Sequence, residues 1–126
     1  MKYPKLFAPG KIGNLTVKNR IVMAPLAMGA AEKDQTIGPA FLAYLLERAR
    51  GGVGMIVLEN TRVDDQHGVA AECQASVARD EHIAPLAAAA EALHKEGVVF
   101  FTQLHHPGRE TFSNLNGSEP ERTSSR

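Results

Sequence analysis

The chain has 126 residues, 44% hydrophobic and 22% charged, which is the composition of one ordinary globular domain. Its 14 basic side chains balance 14 acidic ones, so the basic footprint that nucleic-acid phosphates require is missing, and no apolar run is long enough to span a bilayer. Cys73 is the only cysteine, which excludes an internal disulfide, and Met1-Lys2-Tyr3-Pro4-Lys5 lacks the apolar core of a secretory signal; a reducing cytoplasm is the expected compartment.

The first patterned segment is Lys11-Ile12-Gly13-Asn14-Leu15-Thr16-Val17-Lys18, where Gly13-Asn14 between two apolar residues predicts a small hairpin that precedes the main fold and closes its bottom. Ile21-Val22-Met23-Ala24 then reads as a buried strand. Residues 39–50 predict a helix. Phe41, Leu42, Leu45, Leu46 and Ala49 share one face, Glu47, Arg48 and Arg50 fall towards the other, and Gly51-Gly52 is the stop. Met55-Ile56-Val57-Leu58 is the second strand, ending in Glu59-Asn60-Thr61. A second helix is predicted over residues 82–96, with Ile83, Leu86, Ala87, Ala90 and Leu93 as its apolar stripe. Asp80 serves as its N-cap, Pro85 lies in its early turns and Gly97 ends it. Val98-Val99-Phe100-Phe101-Thr102-Gln103-Leu104 is the third strand. The polar tail over residues 114–126 carries no further strand pattern.

None of the three strand runs alternates between apolar and polar residues, as suits strands buried on both faces of a parallel sheet. Strands alternate with helices, which predicts an α/β fold whose three strands are parallel neighbours. Each helix runs through glycine almost directly into a strand, at Gly51-Gly52-Val53-Gly54 and Glu96-Gly97. Long polar loops follow the strands, over residues 26–36, 61–81 and 105–126. Such asymmetry puts a functional site at the C-terminal rim of the strands.

Three groups at that rim could carry chemistry. Ala24-Pro25-Leu26-Ala27-Met28-Gly29 ends the first strand with small residues that leave backbone open to a ligand, or forms an ordinary strand-ending turn. Glu59 and Asn60 are successive strand residues and cannot face the same pocket; a capping or solvated role is the alternative. Gln103 closes the most apolar strand. Its amide needs a donor and an acceptor, met by the edge of a flat heterocycle or by neighbouring backbone. The adjacent His105 and His106 do not read as metal ligands, because neighbours on a strand diverge and no carboxylate or cysteine stands at ligand spacing. His67, His82 and His94 read as surface or loop residues. No nucleophile elbow, P-loop or dinucleotide fingerprint is present, and Gly51-Gly52-Val53-Gly54 precedes a strand where a phosphate cradle should follow one.

Four segments together resemble the Old Yellow Enzyme family of FMN-dependent ene-reductases: Leu6-Phe7 with Ile12-Gly13, Lys18-Asn19-Arg20-Ile21-Val22-Met23-Ala24-Pro25, Arg48-Ala49-Arg50-Gly51-Gly52-Val53-Gly54-Met55-Ile56, and Gln103-Leu104-His105-His106-Pro107-Gly108-Arg109. The likeness runs over nearly the whole chain, in order and with compatible spacing. The His-His-Pro-Gly-Arg form most resembles the enoate reductase and 2,4-dienoyl-CoA reductase branch, where an iron–sulfur segment and a second, FAD-binding domain usually follow the barrel. The resemblance implies that residues 1–126 are the N-terminal part of an FMN-binding (β/α)₈ TIM barrel, holding about three of its eight strands. It implies NAD(P)H as reductant and a small enoate or enoyl-CoA substrate. Ala24, Pro25, Leu26 and Ala27 would pass under the isoalloxazine, Asn60 would lie near the flavin carbonyls, and Gln103 would bond the pyrimidine ring. Family members often carry threonine or cysteine where this chain has Ala27, and alanine cannot supply that hydrogen bond to tune the flavin. The family's substrate-anchoring pair, tyrosine proton donor and phosphate loops map beyond residue 126, so no catalytic residue is named and the chain alone is expected to be inactive. The alternatives are another FMN-binding barrel enzyme and a non-catalytic subunit that completes a split barrel with a complementary chain, or a homo-oligomer.

Overall fold

The computed structural model describes residues 2–111, so the polar tail and the end of the third loop lie outside the described residues. A hairpin comes first, β1 (Gly10–Ile12) paired antiparallel with β2 (Leu15–Val17). Gly13, at its turn, has φ 57, a left-handed value that costs glycine little. The main sheet follows as β3 (Val22–Met23), α1 (Pro39–Arg50), β4 (Met55–Arg62), α2 (Ile83–Lys95) and β5 (Val99–His105). The strand order is β3-β4-β5 and both pairings are parallel, as the strand–helix alternation predicts.

Both helices end in the same way. Gly52 has φ 97 and Gly97 has φ 68. The Gly52 N–H donates to the Ala49 carbonyl and the Val53 N–H to Arg48; equivalently, Gly97 donates to His94 and Val98 to Leu93. These are Schellman stops, and the residues that follow the glycines, Val53 and Val98, are buried. The turns therefore deliver the chain from helix to strand across four residues after α1 and three after α2.

The helices pack on one face of the sheet. Phe41, Leu45 and Ala49 of α1 and Leu93 of α2 meet Ile56 and Leu58 of β4, with Val53, Val98 and Ala75 completing the core. Burying a side chain such as Ile56 or Leu45 stabilises the fold by roughly 1.5–3 kcal/mol. The alternate residues form the other face: Val22 beside Met55 and Val99, then Val57 beside Phe101. This face is open, with Phe101 39% exposed. Lys18 and Asn19, just after the hairpin, sit at the N-terminal ends of the strands. Lys18 Nζ donates to the Glu96 carbonyl at 2.7 Å and Asn19 Nδ2 to the Gly52 carbonyl at 2.7 Å.

Four expectations are corrected. Asp80 is not the N-cap of α2. It opens a short 3-10 turn, Asp80–His82, and His82 precedes the helix without a side-chain cap. His82 is buried, not a surface residue, because that turn drives its ring under Arg79. The stripe of α2 is rotated from the predicted one: Ala89 and Leu93 are buried and Leu86 is partly so, whereas Ile83 is 63% exposed. Ile83, Leu86, Ala87 and Ala90 instead line an apolar groove with Val77 and Phe100, the place where a closed barrel seats its next helix. Finally, β4 runs on to Arg62, so Thr61 and Arg62, expected in the long loop over residues 61–81, are strand residues.

Candidate functional site

The C-terminal ends of the three strands bring residues 24–29, 59–62 and 103–106 to one rim. Beyond Met23 the chain leaves the ladder, because Pro25 has no N–H to give. Among the described residues, the backbone N–H groups of Leu26 and Ala27 have no backbone or side-chain partner. Leu26 is exposed.

The register of β4 against β5 slips at Glu59: Leu58 faces Thr102, and Asn60 faces Gln103. This is a β-bulge, one extra residue on one strand. Thr102 lies on the helix side, where its hydroxyl donates to Thr61 Oγ1 at 2.7 Å and it lines the groove with α2. Alternation then turns Gln103 to the open face, with Asn60 directly across from it. Neither side-chain amide has a hydrogen-bond partner among the described residues. Asn60 is held through its backbone, its carbonyl accepting from Gln74 Nε2 at 2.9 Å; Gln74 is buried and also accepts from the Ala70 N–H.

Glu59, ejected by the bulge, turns under the loops and is buried. Its carboxylate accepts from the N–H of Met28 at 2.6 Å, of Gly29 at 3.3 Å and of Ala75 at 3.3 Å. The loops after β3 and β4 are laced further by Ala31 N–H to the Cys73 carbonyl and Ser76 N–H to the Gln35 carbonyl. Asp65 joins the buried Arg62 at 2.9 Å to Arg79 at 2.8 Å and accepts from the Ser76 hydroxyl at 2.8 Å. Arg79 reaches on to Gln35 and Glu81. Sequence reasoning missed this scaffold. The one local signal was a carboxylate, Glu59, directly after four apolar strand residues, a position that demands buried donors.

At the end of β5, His106 and His67 flank Asp64, at 3.9 and 3.3 Å. Backbone N–H donation from His67 and Gln66 holds the Asp64 carboxyl below its ordinary 3.8. Among the described residues no group of three or more His, Cys, Asp or Glu side chains is placed to hold a metal ion. No helix among them is long and apolar enough to cross a membrane.

The rim offers two unpaired backbone N–H groups and two facing side-chain amides beside an apolar floor of Val57 and Phe101. Such a donor and acceptor set suits a flat heterocycle with a polar edge. It fits the pyrimidine edge of an isoalloxazine.

Comparison with known proteins agrees with the fold. Residues 5–125 match the family described as NADH:flavin oxidoreductase / NADH oxidase. The chain is 44% identical over 109 residues to an NADH oxidase of Thermoanaerobacter brockii, covering 86% of this chain and 17% of that protein. It is 39% identical over 106 residues to an NADPH dehydrogenase of Bacillus subtilis, covering 83% and 31%. Among solved structures it resembles the old yellow enzyme homologue from Zymomonas mobilis, with TM-score 0.80, 32% identity, and 93% of this chain against 32% of that one. It also resembles a 2-naphthoyl-CoA reductase in complex with 2-naphthoyl-CoA, with TM-score 0.85, 29% identity, and 92% against 18%. The three parallel strands and two helices are the opening of a (β/α)₈ barrel, and the chain spans less than a third of the relatives named from Thermoanaerobacter and Bacillus.

Proposed function

The chain belongs to the NADH:flavin oxidoreductase / NADH oxidase family, that is, the Old Yellow Enzyme family, and we propose that residues 1–126 form the N-terminal part of an FMN-binding barrel domain in an ene-reductase. When bound, FMN would supply the hydride relay from NAD(P)H to the β-carbon of an activated alkene. In this reading the backbone N–H groups of Leu26 and Ala27 face the ring's polar edge, with Ala24 and Pro25 carrying the segment beneath it. Asn60 and Gln103 hold the pyrimidine side, Gln103 donating through Nε2 and accepting through Oε1. The observation that carries the proposal is the Asn60–Gln103 pairing, two facing amides without partners among the described residues beside a strand end released from its ladder. These positions supply ring contacts and no proton donor, so the 126 residues are proposed to bind the ring without turning substrate over.

The enoate or enoyl-CoA class of substrate is supported by the likeness to the 2-naphthoyl-CoA reductase and by the His105-His106-Pro107-Gly108-Arg109 motif. The Thermoanaerobacter relative, of which 109 aligned residues are 17%, has about 640 residues. That length leaves room after a barrel for the iron–sulfur segment and FAD domain of the enoate reductase branch. The open edge of β5 and the exposed inner face call for further barrel strands, from the same polypeptide or from a complementary chain. A cytoplasmic setting agrees with a single cysteine.

The test is a backbone and side-chain amide NMR titration of the chain with FMN and with riboflavin, which lacks the phosphate. Shifts are expected at Leu26, Ala27, Asn60 and Gln103, and Gln103→Leu should weaken ring binding by about tenfold, the loss of one or two hydrogen bonds. Shifts confined to other surfaces, or unchanged affinity in Gln103→Leu, would remove the assignment.

A further inference from the structure

Glu59 is 3% exposed and, among the described residues, has no cationic partner. A buried carboxylate without a counter-charge is costly unless donors surround it. Here three backbone N–H groups do so. Oε2 takes the successive N–H groups of Met28 and Gly29, and Oε1 takes that of Ala75. Gly29, the second of these donors, has φ 59, a left-handed value that glycine takes at little cost.

The same residue is the bulge of β4. With regular pairing Glu59 would face Gln103 and Asn60 would turn to the helices; the one-residue slip sends the carboxylate under the loop and returns Asn60 to the open face. One side chain thus fixes two parts of the rim: where residues 24–29 lie, and which way Asn60 points.

We propose that Glu59 is a positioning residue for the cofactor rim: its carboxylate clamps the segment after β3 through Met28 and Gly29, and its bulge turns Asn60 towards Gln103. The link to the flavin rests on the function proposed above, whereas the clamp itself does not.

Glu59→Gln keeps the volume but sets an NH₂ group against backbone N–H donors on one side. Amide hydrogen exchange of the 126-residue chain should speed up at Met28 and Gly29 by about tenfold or more, with the Leu45 and Leu93 amides unchanged. FMN-induced shifts at Leu26 and Ala27 should weaken by a similar factor while the circular dichroism spectrum stays the same. Uniform acceleration at all core amides would reduce Glu59 to a general stabiliser, and unchanged exchange at Met28 and Gly29 would remove the clamp; either overturns the proposal. Should the variant fail to fold, the unsubstituted chain decides, because an unprotected Met28 amide is incompatible with the clamp. If the unsubstituted chain shows no FMN-induced shifts while Met28 and Gly29 respond to Glu59→Gln, the flavin assignment fails and the clamp stands.

Discussion

Gly54 is a point at which adding one methyl group should damage this fold. A Cβ there would lie 2.6 Å from Asn19 Oδ1, 2.8 Å from the Asn19 carbonyl oxygen and 3.1 Å from its nitrogen. Two of those three atoms are backbone, so no change of rotamer relieves the contact. The first strand's approach has to move away, and with it go the Gly54 N–H bond to the Ile21 carbonyl at 2.9 Å, the Met55 N–H bond to the same oxygen at 3.3 Å and the Asn19 side-chain bond to Gly52 at 2.7 Å. At roughly 0.5–1.5 kcal/mol each, Gly54→Ala should cost about 2–4 kcal/mol, a large share of a typical domain's 5–15 kcal/mol. Gly52 is the control. A Cβ there meets nothing within 4 Å, but φ is 97, so Gly52→Ala carries only the left-handed penalty of about 1–2 kcal/mol. Urea unfolding followed by circular dichroism, with both variants against the parent, measures the two costs. Gly54→Ala should lower the midpoint more. Equal midpoints, or a larger loss in Gly52→Ala, would show that the strand approach is not fixed by close backbone contact.

Acid should loosen the loop after β4. The folded Asp64 carboxyl titrates below 3.8, so its stabilisation is complete above that value and is lost as pH falls through the lower, folded one. Exchange at Gln66 and His67 should rise over that window, and Asp64→Asn should abolish the dependence; an identical profile in the variant would assign the effect elsewhere. The chain should self-associate through β5, whose free edge carries Leu104 at 64% exposure and no charge between Val99 and Leu104. Sedimentation should show concentration-dependent assembly that Leu104→Lys reduces, and a monomer at every concentration would refute this.

The sequence by itself determined the elements and their stops. The helix over residues 39–50 is observed at those bounds, because its apolar spacing and the Gly51-Gly52 stop are properties of neighbouring residues. Gly52 and Gly97 announced the helix-to-strand turns, since only glycine takes their φ cheaply. The parallel order followed from strand–helix alternation, and the rim was legible in the placing of the long loops. Tertiary structure alone decided how the rim is built. Nothing local says that β4 bulges at Glu59, that this carboxylate finds its donors at positions 28, 29 and 75, or that Asp65 binds Arg62 and Arg79. The face of α2 that is covered, and the burial of His82 beneath Arg79, depended equally on distant chain. Periodicity and glycine conformation are set within a few residues, whereas a buried polar group is satisfied by whichever donors the fold brings to it from far along the sequence.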